Sequence, residues 1–395
     1  MKIFLFVDKY LPSTKSSAKL ISDLASELNE KSHKVSVITI SEDLKKNYEL
    51  KKINKINTLI IKTGKINSTN SKIVRGINEM LISYKILKYG KFFFKRNKCD
   101  LIIWYSPSIF FGKVISKLKK KYKCKTYLIL RDIFPQWAID TGLIKNKLII
   151  KFLRYFENLQ YKIADIIGVQ SPKNLDYFRN KKYQKLNLEV LYNWTKTSNN
   201  LNINSINYRE RYKLKGKFVL VYGGNIGFAQ DMDNLIRLSK NLYSYSNIHL
   251  LIVGYGSEFF RIKNQILNEN IKNISLHKPI KQNKFIKMLS QFDVGILSLD
   301  KNFKTHNFPG KMLGYMEASL PILASVNKGN DLIDLINSNQ AGIAFTNGDD
   351  LEFKKNVIKL YTKKELLIKF SKNSNKTLKK YFIAEKTVSQ IMSHF

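Results

Sequence analysis

Short apolar runs alternate with amphipathic stretches along the first half of the chain. Residues 2–10 (KIFLFVDKY) end in a polar loop, and residues 17–33 follow with apolar side chains spaced three and four apart. Residues 34–41 (KVSVITIS) then form a β-branched run, so the pattern predicts strand, helix and strand. Further apolar runs occupy 58–64, 100–106, 124–132 and 164–171. Apolar strands alternating with helices predict a parallel sheet covered on both faces.

The same alternation restarts after a polar stretch. Residues 196–216 lose apolar periodicity and gather Asn and Ser, as a linker does. Apolar runs then resume at 217–227, 248–258, 274–280, 293–300, 321–326 and 341–349. The prediction is α/β, with two doubly wound, Rossmann-like parallel-sheet domains facing a central cleft. We place them at 1–198 and 199–375, with a final helix at 376–395 crossing back to the first domain. Ligands in such sheets bind beyond the carboxyl ends of the strands.

Composition narrows the class of partner. The 395 residues carry 69 Lys and Arg against 30 acidic residues, a formal charge of +39. Such a charge is typical of proteins that bind nucleic acid or an anionic membrane. It also arises from a genome bias that places Lys wherever a polar residue is tolerated. The lysines are spread along the whole chain beside many Asn and Ile, which favours genome bias as background. Because zinc-finger spacing, an RNP-type aromatic stretch and a heptad-bearing basic region are all missing, no specific nucleic-acid partner is expected.

Cysteine content and hydropathy bear on location. Cys99 and Cys124 have a spacing that suits no metal site, so a reduced, intracellular protein without metal is expected. The N-terminal apolar run is too short for a secretion signal, and no apolar stretch reaches about 18 residues. Any membrane association is therefore expected to be peripheral.

Residues 72–98 mix basic residues with Ile, Leu, Tyr and Phe at helical spacing. Two interpretations are open. The segment can lie on an anionic membrane, where each basic residue adds about 1 kcal/mol. It can equally be a packed amphipathic helix with solvated lysines.

A glycine-rich turn joins a strand to a helix at 221–238. Gly223, Gly224 and Gly227 allow backbone amides to approach a diphosphate, although such turns are also common structural features. The spacing is not GxGxxG, which argues against a nicotinamide enzyme. Asp231 and Asp233 have the spacing of a metal-binding DxD pair. Asp231 also lies at the N-cap position of the predicted helix, so capping is the favoured interpretation.

Polar residues also follow a strand in the first half. Arg131 and Asp132 come directly after an apolar run, where catalytic groups collect in α/β sheets. Asp132 is a candidate for orienting or deprotonating an acceptor hydroxyl, with a turn-forming aspartate as the alternative. Trp137 is expected in the core. The five histidines form no metal-like cluster, and His306 alone lies in a stretch of interest, 306–324.

Taken in order, the motifs resemble a known family. They occupy 9–39, 130–140 (LRDIFPQWAID), 169–174 (VQSPKN), 190–194 (VLYNW), 222–227 (YGGNIG), 250–258 (LLIVGYGSE) and 306–332. Nearly end to end, this order resembles family-4 retaining glycosyltransferases of the two-domain GT-B type. Within that family the chain looks most like the bacterial L-fucosaminyltransferases of O-antigen and capsule synthesis.

The resemblance implies a reaction and its partners. A sugar would pass from a nucleoside-diphosphate donor to a glycan on a polyprenyl diphosphate, with retention at the anomeric carbon. Neither metal nor cofactor would be required, since the UDP-sugar is a substrate. The first domain would be the acceptor side and the second would bind the nucleotide sugar.

The resemblance also implies site residues, at the positions of this sequence that match the family's motifs. The diphosphate would be held by Gly223, Gly224, Gly227, Gly310 and Lys311, with Asn225, Pro309 and Glu317 also on the donor side. His306 and Asn307 would lie near the donor sugar. Asp132, Arg131 and His306 form the catalytic set, and Ser16 and Ser17 lie on the acceptor side.

Departures from the family pattern put some roles in question. Aligned on Pro321, the two glutamates of the family's E-x7-E motif fall on His306 and Gly314, so neither is kept. The diphosphate-loop arginine falls near Asn225, and the histidine before the first-domain aspartate falls on Arg131. Glu317 lies three residues after Gly314 on nearly the same helical face. It either reaches the ribose in that glutamate's place or is simply solvated.

The leading hypothesis is a glycosyltransferase that uses UDP-N-acetyl-L-fucosamine or a related N-acetylated deoxy sugar. It would be cytoplasmic and peripheral on the anionic inner face of the cytoplasmic membrane, and its acceptor would be a lipid-linked glycan. The alternative is a catalytically silent GT-B scaffold that binds membrane or a partner transferase. A third hypothesis, nucleic-acid binding, rests on charge alone and predicts steep salt dependence.

Overall fold

The computed structural model describes residues 1–13, 15–66, 68–69, 71–106, 108–179, 183–196, 206–302 and 308–395. The chain divides into two compact units. The first takes in Met1–Lys196 and Ala384–Phe395, and the second takes in Thr197–Ile383. Of the predicted linker at 196–216, residues 197–205 lie outside the described residues.

The first unit is an eight-stranded sheet with helices on both faces. Its strands are β1 (Lys2–Phe6), β2 (Lys34–Ser41), β3 (Tyr48–Ile53), β4 (Ile56–Lys62), β5 (Leu101–Ser106), β6 (Lys125–Leu130), β7 (Ile166–Val169) and β8 (Leu188–Val190). Its helices are α1 (Ser16–Glu30), α2 (Lys72–Met80), α3 (Ile82–Tyr89), α4 (Lys91–Arg96), α5 (Gly112–Tyr122), α6 (Gln136–Asp140), α7 (Lys147–Ile163) and α8 (Pro172–Asp176).

Strand order in this sheet is β3-β4-β2-β1-β5-β6-β7-β8. All neighbouring pairs are parallel except β3 with β4. Ile3 pairs with Val35 on one side and with Leu101 on the other, so β1 lies at the centre with both faces buried. Trp104 and Trp194 are fully buried, whereas Trp137, expected in the core, is half-buried.

The second unit is a six-stranded, wholly parallel sheet in the order β11-β10-β9-β12-β13-β14. Its strands are β9 (Phe218–Asn225), β10 (Ile248–Tyr255), β11 (Ile274–His277), β12 (Val294–Ser298), β13 (Ile322–Val326) and β14 (Gly342–Thr346). Its helices are α9 (Tyr208–Arg211), α10 (Met232–Asn241), α11 (Phe259–Asn268), α12 (Gln282–Leu289), α13 (Lys311–Glu317), α14 (Asp331–Ser338), α15 (Asp350–Thr362) and α16 (Lys364–Tyr381). The predicted pair of parallel-sheet α/β domains is confirmed.

The end of the chain contains two helices where one was predicted at 376–395. Helix α16 continues to Tyr381 within the second unit, and α17 (Ala384–Met392) belongs to the first. Ala384 donates its amide proton to the carbonyl of Thr195 at 3.1 Å. Ala384, Val388 and Ile391 are buried in the same core as Leu24 and Leu28 of α1.

The segment 72–98 forms three short helices rather than one. Helices α3 and α4 bury Ile82, Ile86, Phe93 and Phe94, so this part follows the packed interpretation. Helix α2 instead leaves Ile73 75% exposed, and Ile77 is also exposed. Among the described residues, no helix has both the length and the hydropathy needed to cross a bilayer.

Candidate functional site

The glycine-rich turn of the second unit lies at the carboxyl ends of β9 and β10. These strands pair in parallel, with Gly224 opposite Gly254 and Asn225 opposite Tyr255. The strands approach so closely that a Cβ on Gly254 would lie 1.9 Å from the carbonyl oxygen of Gly224. Gly224 itself has φ +127°, a conformation that disfavours any side chain, and it is exposed. This turn therefore presents bare backbone at the edge of the sheet.

Gly223 has a different role from the one predicted. Its N–H donates to the hydroxyl of Tyr315 at 2.9 Å and is buried. A Cβ at this position would lie 2.4 Å from the ring of Phe285. Because its amide is already paired inside the unit, Gly223 serves packing. Gly227 is also buried, and a Cβ there would lie 2.9 Å from the side-chain nitrogen Nδ2 of Asn225.

Lys311 extends from the first residue of α13 to this turn. Its ammonium lies 3.7 Å from the centroid of the Tyr222 ring and donates to the Tyr222 hydroxyl. Its Nζ is 3.9 Å from where a Cβ of Gly224 would stand. Within the described part of the chain, no carboxylate lies at ion-pair distance from Lys311. A cation without a counter-charge among the described residues thus lies beside exposed backbone.

Burial lowers the pKa of Lys311 from 10.5 to about 7. The cause is loss of water around the ammonium, which disfavours the charged form. The side chain is only half-buried by accessible surface, so part of the ammonium remains open to solvent and to ligands. An anion placed beside Gly224 would restore the charged form.

The stretch 306–324 begins its helix where the Pro-Gly-Lys turn predicted. Phe308 is buried, Pro309 is half-buried, Gly310 is exposed and α13 starts at Lys311. Gly314 faces α12, where a Cβ would make ordinary contacts with Ile286 and Leu289 at 3.4 and 3.5 Å.

Three residues of this stretch were predicted to contact the sugar nucleotide. Glu317 ends α13 and is half-buried. His306 and Asn307 lie outside the described residues. Their predicted roles stay predictions.

The DxD-like pair is structural, as the capping interpretation predicted. Asp231 accepts from the backbone N–H of Asn234 at 3.2 Å and from Asn347 at 2.8 Å, so it caps α10. Asp233 pairs with Arg261 at 2.9 Å. Among the described residues, no group of three or more His, Cys, Asp or Glu is arranged to hold a metal ion.

Arg131 in the first unit is held by backbone. It is 5% exposed and donates to the carbonyls of Leu191 and Tyr192, the latter at 3.2 Å. Its guanidinium lies 5.1 Å from the ring of Trp194, and burial lowers its pKa to about 10. Arg131 thus ties the end of β6 to residues 191 and 192, whereas its Nε is buried without a hydrogen-bond partner among the described residues. Its predicted catalytic role stays a prediction.

A second carboxylate, that of Asp8, lies near Asp132, and the sequence analysis did not predict it. Burial raises its pKa, the nearby Arg131 opposes that rise, and the carboxylate of Asp8 adds to it. Asp8 lies two residues after the end of β1, and its Oδ1 is buried without a hydrogen-bond partner among the described residues. Strands β1, β5 and β6 are neighbours, so these carboxylates lie at one sheet edge. The available signal was the position of Asp8 after an apolar strand.

Other polar groups lie at the same edge. Tyr105 is the next-to-last residue of β5, and burial raises its pKa, with Arg131 opposing the rise and Asp132 and Asp8 adding to it. Ser106 is fully buried, and its hydroxyl has no partner in the described part of the chain. Ser16 and Ser17 begin α1, which follows the loop after β1, with Ser16 exposed and Ser17 half-buried. The edge can therefore offer carboxylates and hydroxyls to a polar ligand.

Solved structures share this architecture. Sucrose-phosphate synthase from Thermosynechococcus elongatus superimposes with a TM-score of 0.72 at 14% identity, over 100% of this chain and 98% of that one. The Anabaena protein HepE, solved with UDP and glucose, gives a TM-score of 0.69 at 13% identity, over 100% and 99%. This is the GT-B fold.

The GT-B chain also matches a family model. Residues 204–377 match the family described as glycosyl transferases group 1. The probable glycosyltransferase WbjE of Pseudomonas aeruginosa is 24% identical over 229 residues, 55% of this chain and 55% of that protein. The aligned region thus spans about half the length of the curated relative. The family match falls on the unit that carries Lys311 and Gly224.

Proposed function

We propose that this GT-B chain is a glycosyltransferase that uses a nucleotide sugar. The observation that carries the proposal is the Lys311 ammonium, half-buried over Tyr222 beside the exposed backbone of Gly224. This site lies within the region that matches group 1 glycosyl transferases. The bound UDP of HepE supports a uridine nucleotide as the donor.

The leaving diphosphate sets the chemical requirement of the second unit. Two phosphates leave with negative charge, and preorganised donors stabilise that charge most effectively where water is sparse. Lys311 supplies the cation, and Gly224 gives close access to backbone. Asp231 caps a helix and Asp233 is paired with Arg261, so neither is free to hold a metal in a DxD arrangement. Diphosphate departure is therefore proposed to be metal-independent.

The acceptor hydroxyl sets the requirement of the first unit. Burial raises the pKa of Asp132, with Asp8 adding to the rise, so its carboxylate accepts a proton more readily than an ordinary aspartate. We assign Asp132 to the acceptor hydroxyl and Asp8 to its electrostatic tuning. Retention at the anomeric carbon, through a transition state with oxocarbenium character, is part of the proposal because of the motif order from 130–140 to 306–332.

The sugar, acceptor and location rest on that motif resemblance and on WbjE. The donor is proposed to be UDP-N-acetyl-L-fucosamine or a related N-acetylated deoxy sugar. The acceptor is proposed to be a glycan on a polyprenyl diphosphate in O-antigen or capsule synthesis. Such an acceptor requires a protein located in the cytoplasm and bound peripherally to the inner face of the membrane. The charge of +39 and the exposed apolar side chains of α2 support that location.

A thermal-shift panel of UDP-, GDP- and ADP-sugars tests the donor assignment. A ligand that binds only the folded state at about 100 times its Kd adds about 2.7 kcal/mol. In a domain the size of the second unit this raises Tm by about 5–10 °C. UDP-sugars should give this shift and GDP- or ADP-sugars a smaller one. If all three leave Tm unchanged, the donor site is refuted and the silent-scaffold hypothesis is favoured.

A further inference from the structure

The first half of α7 exposes large apolar side chains that the fold leaves uncovered. Leu148 is 78% exposed and Tyr155 is 56% exposed, and Ile149 and Phe152 are exposed as well. Leu143, just before the helix, is 62% exposed. An isolated exposed apolar residue is ordinary, but five within thirteen positions form a contiguous surface that marks an interaction site.

These side chains lie on one face of the helix. Leu148, Phe152 and Tyr155 are spaced four and three apart, which aligns them, and Leu153 and Phe156 on the other side are buried. The rings of Phe152 and Tyr155 lie 5.0 and 5.2 Å from the ring of Phe156. The exposed face is thus backed by the core of the unit and is held in place.

The charged side chains within residues 141–156 are all basic. Lys145, Lys147 and Lys151 are exposed beside the apolar residues. From 141 to 156 the sequence contains no Asp or Glu. Apolar side chains flanked by lysines match the boundary between anionic headgroups and acyl chains. They do not match an acidic protein surface equally well, because five large apolar groups need an apolar partner.

Helices α7 and α3 share a buried packing partner, Phe110. Ser83 of α3 donates its hydroxyl proton to the carbonyl of Phe110, and the Phe110 ring lies 5.0 Å from Phe156. Helices α3 and α7 therefore pack on the same residue. Tyr84 of α3 and Ile73 of α2 are also exposed.

We propose that the exposed face of α7, with that of α2 and α3, inserts into an anionic bilayer. This extends the membrane attachment under the proposed function from 72–98 to a second element, and binding to lipid requires no sugar transfer. The location also suits a lipid-linked acceptor. Arg154 of α7 donates to the side chain of Gln136, which lies four residues after Asp132. The inserted helix thereby contacts the segment that carries Asp132.

Vesicle co-sedimentation of the full chain tests the proposal. The vesicles contain phosphatidylglycerol and phosphatidylcholine, or phosphatidylcholine alone. Exchanging Leu148 and Ile149 for serine (Leu148→Ser with Ile149→Ser) should weaken binding to anionic vesicles about tenfold or more, since both side chains lose apolar burial. Leu351→Ser is the matched control, because Leu351 is also 78% exposed but lies on α15 of the second unit. It should bind like the wild type.

Charge is tested separately. Replacing Lys145, Lys147 and Lys151 with glutamine should weaken anionic binding about a hundredfold, at about 1 kcal/mol per lysine. A tryptophan in place of Phe152 (Phe152→Trp) should be quenched by brominated lipid. Thermal unfolding confirms that each variant is folded.

Three results would overturn the proposal. The first is wild-type binding of the Leu148 and Ile149 variant to anionic vesicles. The second is no quenching at position 152. The third is a change of oligomeric state in the α7 variants without a change in lipid binding, which assigns the face to a second copy of the chain. None of these outcomes depends on donor binding, so each is distinguishable from failure of the proposed transferase function.

Discussion

Replacing Lys311 with methionine should stabilise the ligand-free protein. Burial lowers the pKa of Lys311 from 10.5 to about 7. This corresponds to at most about 5 kcal/mol against the charged form, at 1.36 kcal/mol per pH unit. Contact of the ammonium with the Tyr222 ring and its partial exposure to water offset much of this free-energy cost. We expect Lys311→Met to gain about 1–2 kcal/mol at pH 7, because methionine fills a similar volume without a charge.

The pH dependence of stability has a definite sign. Between pH 7 and 10.5 the unfolded lysine binds more protons than the folded one, so stability rises with pH across this window. In Lys311→Met this contribution to the rise is lost. The gain from the substitution should therefore be largest at pH 7 or below and should shrink toward pH 10.

The same substitution should weaken UDP binding. A hydrogen bond to a charged group contributes about 1.5–3 kcal/mol, so the loss is about ten- to a hundredfold in affinity. Wild-type affinity should fall as pH rises above 7, by up to about tenfold per unit, since the ligand-free lysine loses its proton there. Lys311→Arg keeps its charge over this range and should lack that pH dependence.

Calorimetric titration with UDP and thermal unfolding at pH 6 to 9 measure both effects. Lys263→Met is the matched control, because Lys263 is exposed on α11 of the same unit. It should change neither stability nor UDP affinity. A Lys311→Met variant that is less stable than the wild type and binds UDP with unchanged affinity would contradict the role assigned to Lys311.

Three further predictions concern capping, packing and proton transfer. Asp231→Ala should lower the free energy of unfolding, measured in urea, by about 1–2 kcal/mol because the helix cap is lost. Asp231→Asn should keep most of the wild-type stability, since asparagine also caps helices. Gly223→Ala should cost about 1–3 kcal/mol because the added Cβ meets the Phe285 ring at 2.4 Å; full stability would contradict the packing role. Asp8→Asn should move the acid limb of kcat/KM to lower pH, since it removes the negative charge that raises the pKa of Asp132, while Asp132→Asn should abolish turnover.

Local sequence patterns were enough to predict strands such as β2 and β5 and the start of α13. Residues 34–41 and 100–106 are apolar and β-branched, and they form β2 and β5. The Pro-Gly-Lys turn begins α13 at Lys311, because a turn followed by apolar residues at helical spacing leaves few alternatives. Capping by Asp231 was predictable for the same reason.

Long-range contacts were not predictable from local pattern. Lys311 meets Tyr222 across 89 positions of sequence, and the pairing depends on how α13 packs beside β9. The amide of Gly223 is paired with Tyr315, which no spacing rule could reveal. The guanidinium of Arg131 likewise donates to the distant carbonyls of Leu191 and Tyr192.

Exposure was the other quantity that the sequence left open. Residues 72–98 read as one basic amphipathic helix, but α3 and α4 bury their apolar side chains and α2 does not. The apolar periodicity of 147–163 looks like that of any packed helix. Only the structure distinguishes the buried Phe156 from the exposed Leu148, because both faces of α7 are apolar.

We propose that this chain transfers a sugar from a UDP-sugar to a lipid-linked acceptor. The most direct measurement combines release of UDP with the mass of the acceptor, using UDP-N-acetyl-L-fucosamine, a polyprenyl-diphosphate glycan and anionic vesicles. We expect one UDP released for each acceptor that gains one sugar, and Lys311→Ala should lose most of this turnover while remaining folded. A folded wild-type protein that releases no UDP and leaves the acceptor mass unchanged with every UDP-sugar tested would contradict the account.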